Sequence, residues 1–431
     1  MERKQYPQPA LEAAQKFATV FQDDGVYAGP LSAAWAPGRV NIIGEHTDYN
    51  DGFVLPLAVD RVSAFAGRTR QDQEVRLWSA HFEEYAQFSL EQLPGSFEQQ
   101  CQGLPGWARY VLGVVAELVR AGFALKGFDA VVAGDVPLGG GMSSSAALEV
   151  ATVYACAQFS GGQLKIGDGE ESQPRPQRGL QKMEVAALCQ RAEHIASGLR
   201  SGILDQAASC LGQPGQAVLL DCRSFAYQYF PFSDPEVAIV VIDTSVRREL
   251  ASTAYNERRQ QCEEAASLLR EAVLRDEPEN AQAREIKALR DITPEQFARY
   301  KDQLPELLRK RAGYVIAEDK RVMQVVELLK RNDFEAVGQV LWQGHAGLRD
   351  EYEVSCSELD ALVDIAHSVP GVLGARMLGG GFGGCTINLV RQEAVTALTQ
   401  AVEEQYPERT GRQASIDICR AAGGPGMAVL E

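Results

Sequence analysis

The chain has 431 residues, 45% of them apolar, and a formal net charge of -16. That length exceeds one ordinary domain and leaves enough apolar side chains for two cores, while the acidic excess excludes nonspecific binding to nucleic acid or an anionic membrane surface, whose fields repel it. Nine scattered cysteines, with no Cys-x-x-Cys pair and no cluster with histidines, read as reduced thiols of a cytoplasmic protein, and neither a signal-peptide core nor a bilayer-spanning apolar run is present.

Residues 11–21 carry apolar side chains at helical spacing. Ala34, Trp35 and Ala36 lead into Pro37 and Gly38, a pair that predicts a tight corner, and Arg39 to Ile43 then alternates polar and apolar like a half-buried strand. Arg39 and Asn41 share a face of it. Gly44 ends the strand, and Glu45, His46 and Asp48 project from the following loop. Carboxylates, imidazole and amide at this density can satisfy several hydroxyls at once, as a sugar demands. A polar turn capping a helix draws on the same residue types.

Residues 52–90 read as several strands, among them 53–57, 62–67 and 75–78. A helix over 107–119 and a strand over 128–133 precede Gly134-Asp-Val-Pro-Leu-Gly-Gly-Gly-Met-Ser-Ser-Ser-Ala-Ala-Leu148, where three glycines join strand to helix. Without Cβ atoms such a loop wraps closely around phosphates, and the helix over 144–159 adds its positive dipole end. No Lys-Ser or Lys-Thr follows the glycines, so this is not a Walker A loop. The three serines also suit an N-cap. Trp107 suits either an adenine pocket or the core.

The stretch 160–181 is polar and rich in breakers, which predicts a mobile surface loop rather than a partner-binding insertion. Helix returns over 183–195; Glu193 there is either a carboxylate for a divalent cation or an ordinary surface charge, and His194 reads as structural. In Ser201-Gly-Ile-Leu-Asp-Gln206 a carboxylate sits among apolar residues and needs a partner, for which Arg39 is the candidate; a helix cap or a non-catalytic ion pair is the alternative. Strands over 217–220 and 237–243 are followed by helices over 255–274, 286–290, 294–301, 313–330 and 333–348. The run Arg309-Lys310-Arg311 reads as a solvated helical face. Gly371–Met377 and Cys385–Leu389 are predicted strands flanking glycines, and because the second strand follows those glycines, their Gly-x-Gly-x-x-Gly is no dinucleotide fingerprint. A helix over 392–406 and closing strands complete an α+β pattern.

The run Gly38-Arg-Val-Asn-Ile-Ile-Gly-Glu-His-Thr-Asp-Tyr49 resembles the signature of galactokinases, within the GHMP small-molecule kinases. The glycine–serine loop and Arg376-Met-Leu-Gly-Gly-Gly-Phe-Gly-Gly-Cys-Thr386 resemble the second and third signatures of those kinases. The resemblance covers most of the chain, departing chiefly at 160–181. It implies two α+β domains, 1–215 with the fold of ribosomal protein S5 domain 2 and 216–431 with the GHMP C-terminal fold, and an active site between them. It implies ATP-dependent phosphorylation of α-D-galactose at the anomeric hydroxyl, at the head of galactose metabolism. Asp205 is then the catalytic base or the group orienting the hydroxyl, with Arg39 beside it. Glu45, His46, Asp48 and Gly202 hold sugar, and Tyr255 forms an aromatic wall, although helical spacing also suits a core tyrosine. Gly139, Gly140, Gly141, Met142, Ser143, Ser144, Ser145, Ala146, Ala147 and Leu148 contact ATP, with Trp107 at the adenine. Ser145 and Glu193 hold Mg2+. The expected partners are galactose and ATP alone, with no nucleic acid or membrane, on a monomer or weak homo-oligomer. Two rivals remain: an N-acetylgalactosamine kinase with the same motifs, and a galactose sensor that binds both ligands without turnover.

Overall fold

A computed structural model describes residues 6–21, 25–167, 179–247 and 251–430. The chain opens with α1 (Gln8–Val20), β1 (Ser32–Asn41), β2 (Phe53–Val54), β3 (Pro56–Thr69), β4 (Glu74–Ser79) and β5 (Glu84–Ser89). Next come α2 (Leu93–Gly103), α3 (Gly106–Arg120), β6 (Phe128–Gly134), α4 (Ser144–Phe159), α5 (Lys182–Ser197) and α6 (Leu204–Leu211). These build a six-stranded sheet, order β13-β1-β3-β6-β4-β5, whose last member β13 (Gly426–Val429) returns from the far end of the chain. Alternation explains the layering: Phe65, Leu77 and Phe128 on one face meet Val111, Leu112, Val150 and Leu188 of α3, α4 and α5, while Ala64, Ala66 and Val131 on the other meet Phe17 of α1.

β7 (Gln216–Asp221) and β8 (Tyr227–Pro231) form a small sheet with β2. β9 (Val237–Asp243) leads into a helical region of α7 (Ala251–Asp276), α8 (Ala281–Arg284), α9 (Pro294–Tyr300), α10 (Glu306–Leu329), α11 (Phe334–Asp350) and α12 (Ser357–Ser368). β10 (Val372–Leu378), β11 (Cys385–Arg391), α13 (Val395–Thr410) and β12 (Ser415–Cys419) follow, and the second large sheet runs β10-β11-β9-β12. One apolar cluster joins the halves: Val40, Ile42 and Leu57 pack with Val241, Ile387, Val325 and Leu341.

Pro37 and Gly38 make no corner. β1 runs straight through them, and its register on β3 slips between Pro37, opposite Val62, and Arg39, opposite Ala58. The slip lets the phosphate loop lie on the strand: Arg39 N donates to the Met142 carbonyl at 3.1 Å, which would be 2.8 Å from a Cβ at position 38. The basic run is likewise only partly solvated. Arg311 is 1% exposed and bonds Glu353 Oε2 at 2.6 Å and Gln261 Oε1 at 3.2 Å, because it faces the helical core. Of the segment 160–181, residues 168–178 lie outside those described; its ends belong to the fold, with Leu164 and Leu180 buried in the first core. Among the described residues no helix is long and apolar enough to cross a membrane.

Candidate active site

The bulged end of β1 presents Arg39 to the start of α6. Its Nε donates to Asp205 Oδ1 at 2.8 Å, Nη2 lies 2.7 Å from the same oxygen, and Nη1 donates to the Gly141 carbonyl. The arginine is 5% exposed and the carboxylate 31%, so the pair sits at the wall of a cavity with the acid turned outward. That cavity, about 280 Å³, is also lined by Glu45, His46, Asp48, Glu193, Gly202, Tyr255 and Phe382. Asn41, which ends the strand, and Glu45, in the loop beyond it, are used differently. Glu45 Oε1 accepts from Arg376 Nη1 at 3.0 Å and from Gly379 N at 2.9 Å, whereas the buried Asn41 amide has no hydrogen-bond partner.

His46 adopts a left-handed backbone, φ 63°, and its Nδ1 meets the Tyr49 hydroxyl at 2.7 Å. Burial pushes its pKa down to about 3 against the opposing effect of the Gly380 backbone, so the ring is neutral, and Nε2 makes no well-formed hydrogen bond within the protein. Asp48 moves oppositely: burial, with Asp205 nearby, raises its pKa to about 7. Its carboxylate packs on the backbone of Gly202, where a Cβ would fall 1.8 Å from Oδ2. The Tyr255 ring stands 5.3 Å from the His46 and Tyr49 ring centres and closes one side.

A second cavity of about 580 Å³ lies across the phosphate loop, bounded by Trp107, Tyr110, Phe82, Gly139, Ser144, Ser145 and Leu148 among others. Trp107 Nε1 is buried without a partner. Gly139 and Gly141 have φ of 64° and 74°, and Ser143, also left-handed at 54°, stands in the cap position of α4. Ser143 makes no side-chain cap bond; its Oγ donates to Asp205 Oδ2, so the loop is tied to the carboxylate instead. Met142, Ala146 and Ala147 turn their side chains into the core, and Gly140 O accepts from the Cys385 thiol.

Glu193 is no surface residue. It is 5% exposed, its Oε2 accepts from Ser201 Oγ at 2.5 Å and Gln206 Nε2 at 3.1 Å, and its Oε1 from Ser145 Oγ at 3.2 Å. Burial raises its pKa, against which the serine bonds act. Because Glu193 lines the first cavity and Ser145 the second, their contact is where the two meet. His194, with Nε2 2.9 Å from the Ser201 carbonyl, supports that loop. Among the described residues no three His, Cys, Asp or Glu side chains are grouped to hold a metal ion by themselves.

Sequence reasoning missed Ser143 and Ser201 as partners of the two acids and Arg247 beside the phosphate loop. Arg247 bonds Asp243 Oδ2 at 2.5 Å and the Leu138 carbonyl at 3.0 Å. The Ser143–Asp205 and Arg247–Leu138 contacts join segments far apart in the chain, and Ser201 reaches Glu193 only because the turn after α5 folds back on the helix, which nothing in a single sequence marks. The third glycine segment, 379–384, lines the first cavity and a further space of about 250 Å³ against Gly139 and Gly141.

The architecture is that of the GHMP kinases: residues 109–213 match the family model for their N-terminal domain and 325–408 that for their C-terminal domain. A mevalonate kinase with 16% identity shares the fold, TM-score 0.58 over 90% of this chain and 98% of its own. Within that class residues 15–69 match the galactokinase galactose-binding signature. Galactokinases from Roseiflexus sp. (strain RS-1) and Homo sapiens are each 41% identical, over 91% and 92% of both chains respectively. The crystal structure of Lactococcus lactis galactokinase complexed with galactose has a TM-score of 0.81 at 32% identity, covering 96% of this chain and 98% of that one. The chain belongs to the galactokinase family.

Proposed function

We propose that this chain transfers the γ-phosphoryl group of ATP to the anomeric hydroxyl of α-D-galactose, giving α-D-galactose 1-phosphate and ADP as the first committed step of galactose metabolism. The observation that carries the reading is the Arg39–Asp205 pair, 2.7 Å apart, where a small polar cavity meets the phosphate loop in a member of this family. Galactose occupies the 280 Å³ cavity. Asp48 and His46 Nε2 bond its hydroxyls, and Glu45 fixes a further one, its Oε1 being held by Arg376. Gly202 lets the Asp48 carboxylate approach, and the Tyr255 ring covers an apolar face of the sugar.

ATP lies in the larger cavity with its base beside Trp107 and its phosphates on the backbone of Gly139 to Leu148 at the start of α4. Met142, Ala146 and Ala147 serve there through their backbone, since their side chains face the core. Ser145 Oγ and Glu193 Oε1 suit Mg2+, a hard cation that takes one or two protein oxygens together with phosphates and water. When bound, Mg2+ supplies charge neutralisation at the polyphosphate.

Asp205 accepts the proton of the anomeric hydroxyl; that oxygen bonds to the γ-phosphorus as the bond to the ADP oxygen breaks. Arg39 and Ser143 hold the carboxylate in place, and Arg39 faces the charge spread over the phosphoryl oxygens. A loose transition state asks little of a base, so orientation of the hydroxyl by Asp205 accounts for much of its effect. We place the protein in the cytoplasm, as a monomer or weak homo-oligomer, and divide it into domains near residue 215. Its nine cysteines are all free thiols, which supports a reducing compartment.

Rates of ADP release with galactose and with N-acetylgalactosamine, measured side by side, test the reading. Galactose is expected to be the better substrate; a clear preference for the N-acetyl sugar, or binding of both ligands without ADP, would overturn it.

A further inference from the structure

The glycine segment contains one residue that is out of keeping with its neighbours. Gly379, Gly381, Gly383 and Gly384 have φ of 81°, 80°, 138° and 79°, and Phe382 shares the left-handed region at 61°. At 381 and 383 glycine is imposed by space as well, because a Cβ would meet the Val354 carbonyl at 2.3 Å and the Val246 carbonyl at 2.7 Å. Position 382 has the same backbone demand, yet carries a bulky ring. Such a conformation is unfavourable for a non-glycine residue, and glycine there would avoid the strain.

The surroundings hold the strained residue from both ends. Phe382 N donates to the Val354 carbonyl at 2.7 Å, and the Arg258 guanidinium lies over the ring, 5.8 Å from its centre. The ring packs at the edge of the helical core and bounds the 280 Å³ cavity opposite α6, while also lining the space between the two glycine loops. It thus stands between the hexose and the phosphate side, and is the large apolar ring that the third glycine loop contributes to a cavity whose other apolar surfaces are Tyr255, Leu199 and Leu204.

We propose that Phe382 is a specificity-determining residue of the sugar site: its ring limits the size of the substituent that a hexose can carry on the side facing the third glycine loop. This rests on the reading that the cavity holds galactose. A wall of this kind acts by steric exclusion, where removing a ring opens volume and the discrimination lost is of the order expected for a few methylenes in a pocket, about tenfold or more. The retained backbone strain fits a residue kept for its side chain rather than for its conformation.

The test compares the wild-type chain with Phe382→Gly, Phe382→Ala and Phe382→Trp. The substrates are galactose and galactoses enlarged at C2, C3 or C6, one position at a time. Phe382→Gly and Phe382→Ala are expected to raise kcat/KM for at least one enlarged sugar, relative to galactose, by about tenfold, with the galactose loss mainly in KM. Phe382→Trp should weaken galactose without changing the KM for ATP. Because glycine relieves the strain and alanine does not, Phe382→Gly should melt no lower than Phe382→Ala. Relative rates within twofold of wild type for every enlarged sugar would overturn the proposal, as would unchanged galactose kinetics in Phe382→Trp. If Phe382→Gly fails to fold, the alanine and tryptophan variants carry the same comparison. A wild-type chain inactive on galactose would refute the activity instead, and calorimetric binding of the same sugars would then decide the role of the ring, by the same ratios.

Discussion

At the scale of single residues, the site divides its carboxylates by environment. Asp205 is ion-paired and turned toward the cavity, whereas Asp48 is packed against backbone and has its pKa raised to about 7, chiefly by burial. Between pH 4 and 7 the folded, sugar-free protein therefore holds a proton that the unfolded chain, with an ordinary aspartate, has released. The resulting stabilisation is fully present below about pH 4 and is lost as pH rises through 7. Asp319, raised to about 7 by burial, adds a contribution of the same sign. The thermal midpoint of the free protein should fall from pH 5.5 to 7.5, and Asp48→Asn should flatten that fall, which a set of melts across the range will check. An identical pH slope in the variant would contradict the assignment.

At the scale of elements, the site depends on close approaches that no propensity scale encodes. The loop before α6 must pass beneath Asp48, and Gly202 is the place where it does. Gly202→Ala puts a methyl group 1.8 Å from Asp48 Oδ2, so the carboxylate must leave its position. The KM for galactose should rise tenfold or more while that for ATP stays near wild type, as steady-state kinetics with each substrate varied will report. An unaltered galactose KM would show that Asp48 does not hold the sugar.

The same scale shows what could be read from the sequence. Periodicity sufficed for α4, whose predicted span of 144–159 coincides with the structure, and for β6 and β9 within a residue or two. Those segments are long, apolar and bounded by glycine or charge. Pro37-Gly38 reads as a turn in isolation, but its turn chemistry is overridden by the pairing of β1 with β3, which continues on both sides of the pair, from Pro37 opposite Val62 to Arg39 opposite Ala58. Arg39 and Asp205 could be paired in advance because a half-buried carboxylate needs a cation. Ser143 could not, because capping was the equally good local use of a serine at that position, and only the left-handed turn at 143 redirects its hydroxyl. The folding of Arg376 behind the first signature, where it bonds Glu45 and the Ile42 carbonyl, was equally out of reach.

At the scale of the whole molecule, the signature loop is held between the two halves of the chain. Arg290 bonds Asp221 Oδ1 at 2.5 Å and Oδ2 at 3.0 Å, donates to the Asp51 carbonyl at 2.7 Å, and lies 4.1 Å above the Phe53 ring. Arg223 extends the clamp to Asp291 at 2.6 Å and to Asp51 at 3.2 Å. Arg290→Met removes a two-pronged charged contact and leaves Asp221 partly buried, so the loss should be about 2 kcal/mol of unfolding free energy. A urea titration would register it as a lower midpoint; an unshifted midpoint would mean that Arg290 adds nothing to the stability of the fold.

The proposed reaction rests on the chemistry of Asp205 at the junction of the two cavities. Phosphorus NMR of the chain with ATP, Mg2+ and galactose, run beside Asp205→Asn, follows substrate loss and product identity together. The wild-type protein is predicted to convert ATP to ADP and α-D-galactose 1-phosphate. The variant should bind ATP as before but form product about 10²- to 10⁴-fold more slowly. Product formed by Asp205→Asn at the wild-type rate, or phosphate carried on any hydroxyl other than the anomeric one, would contradict it.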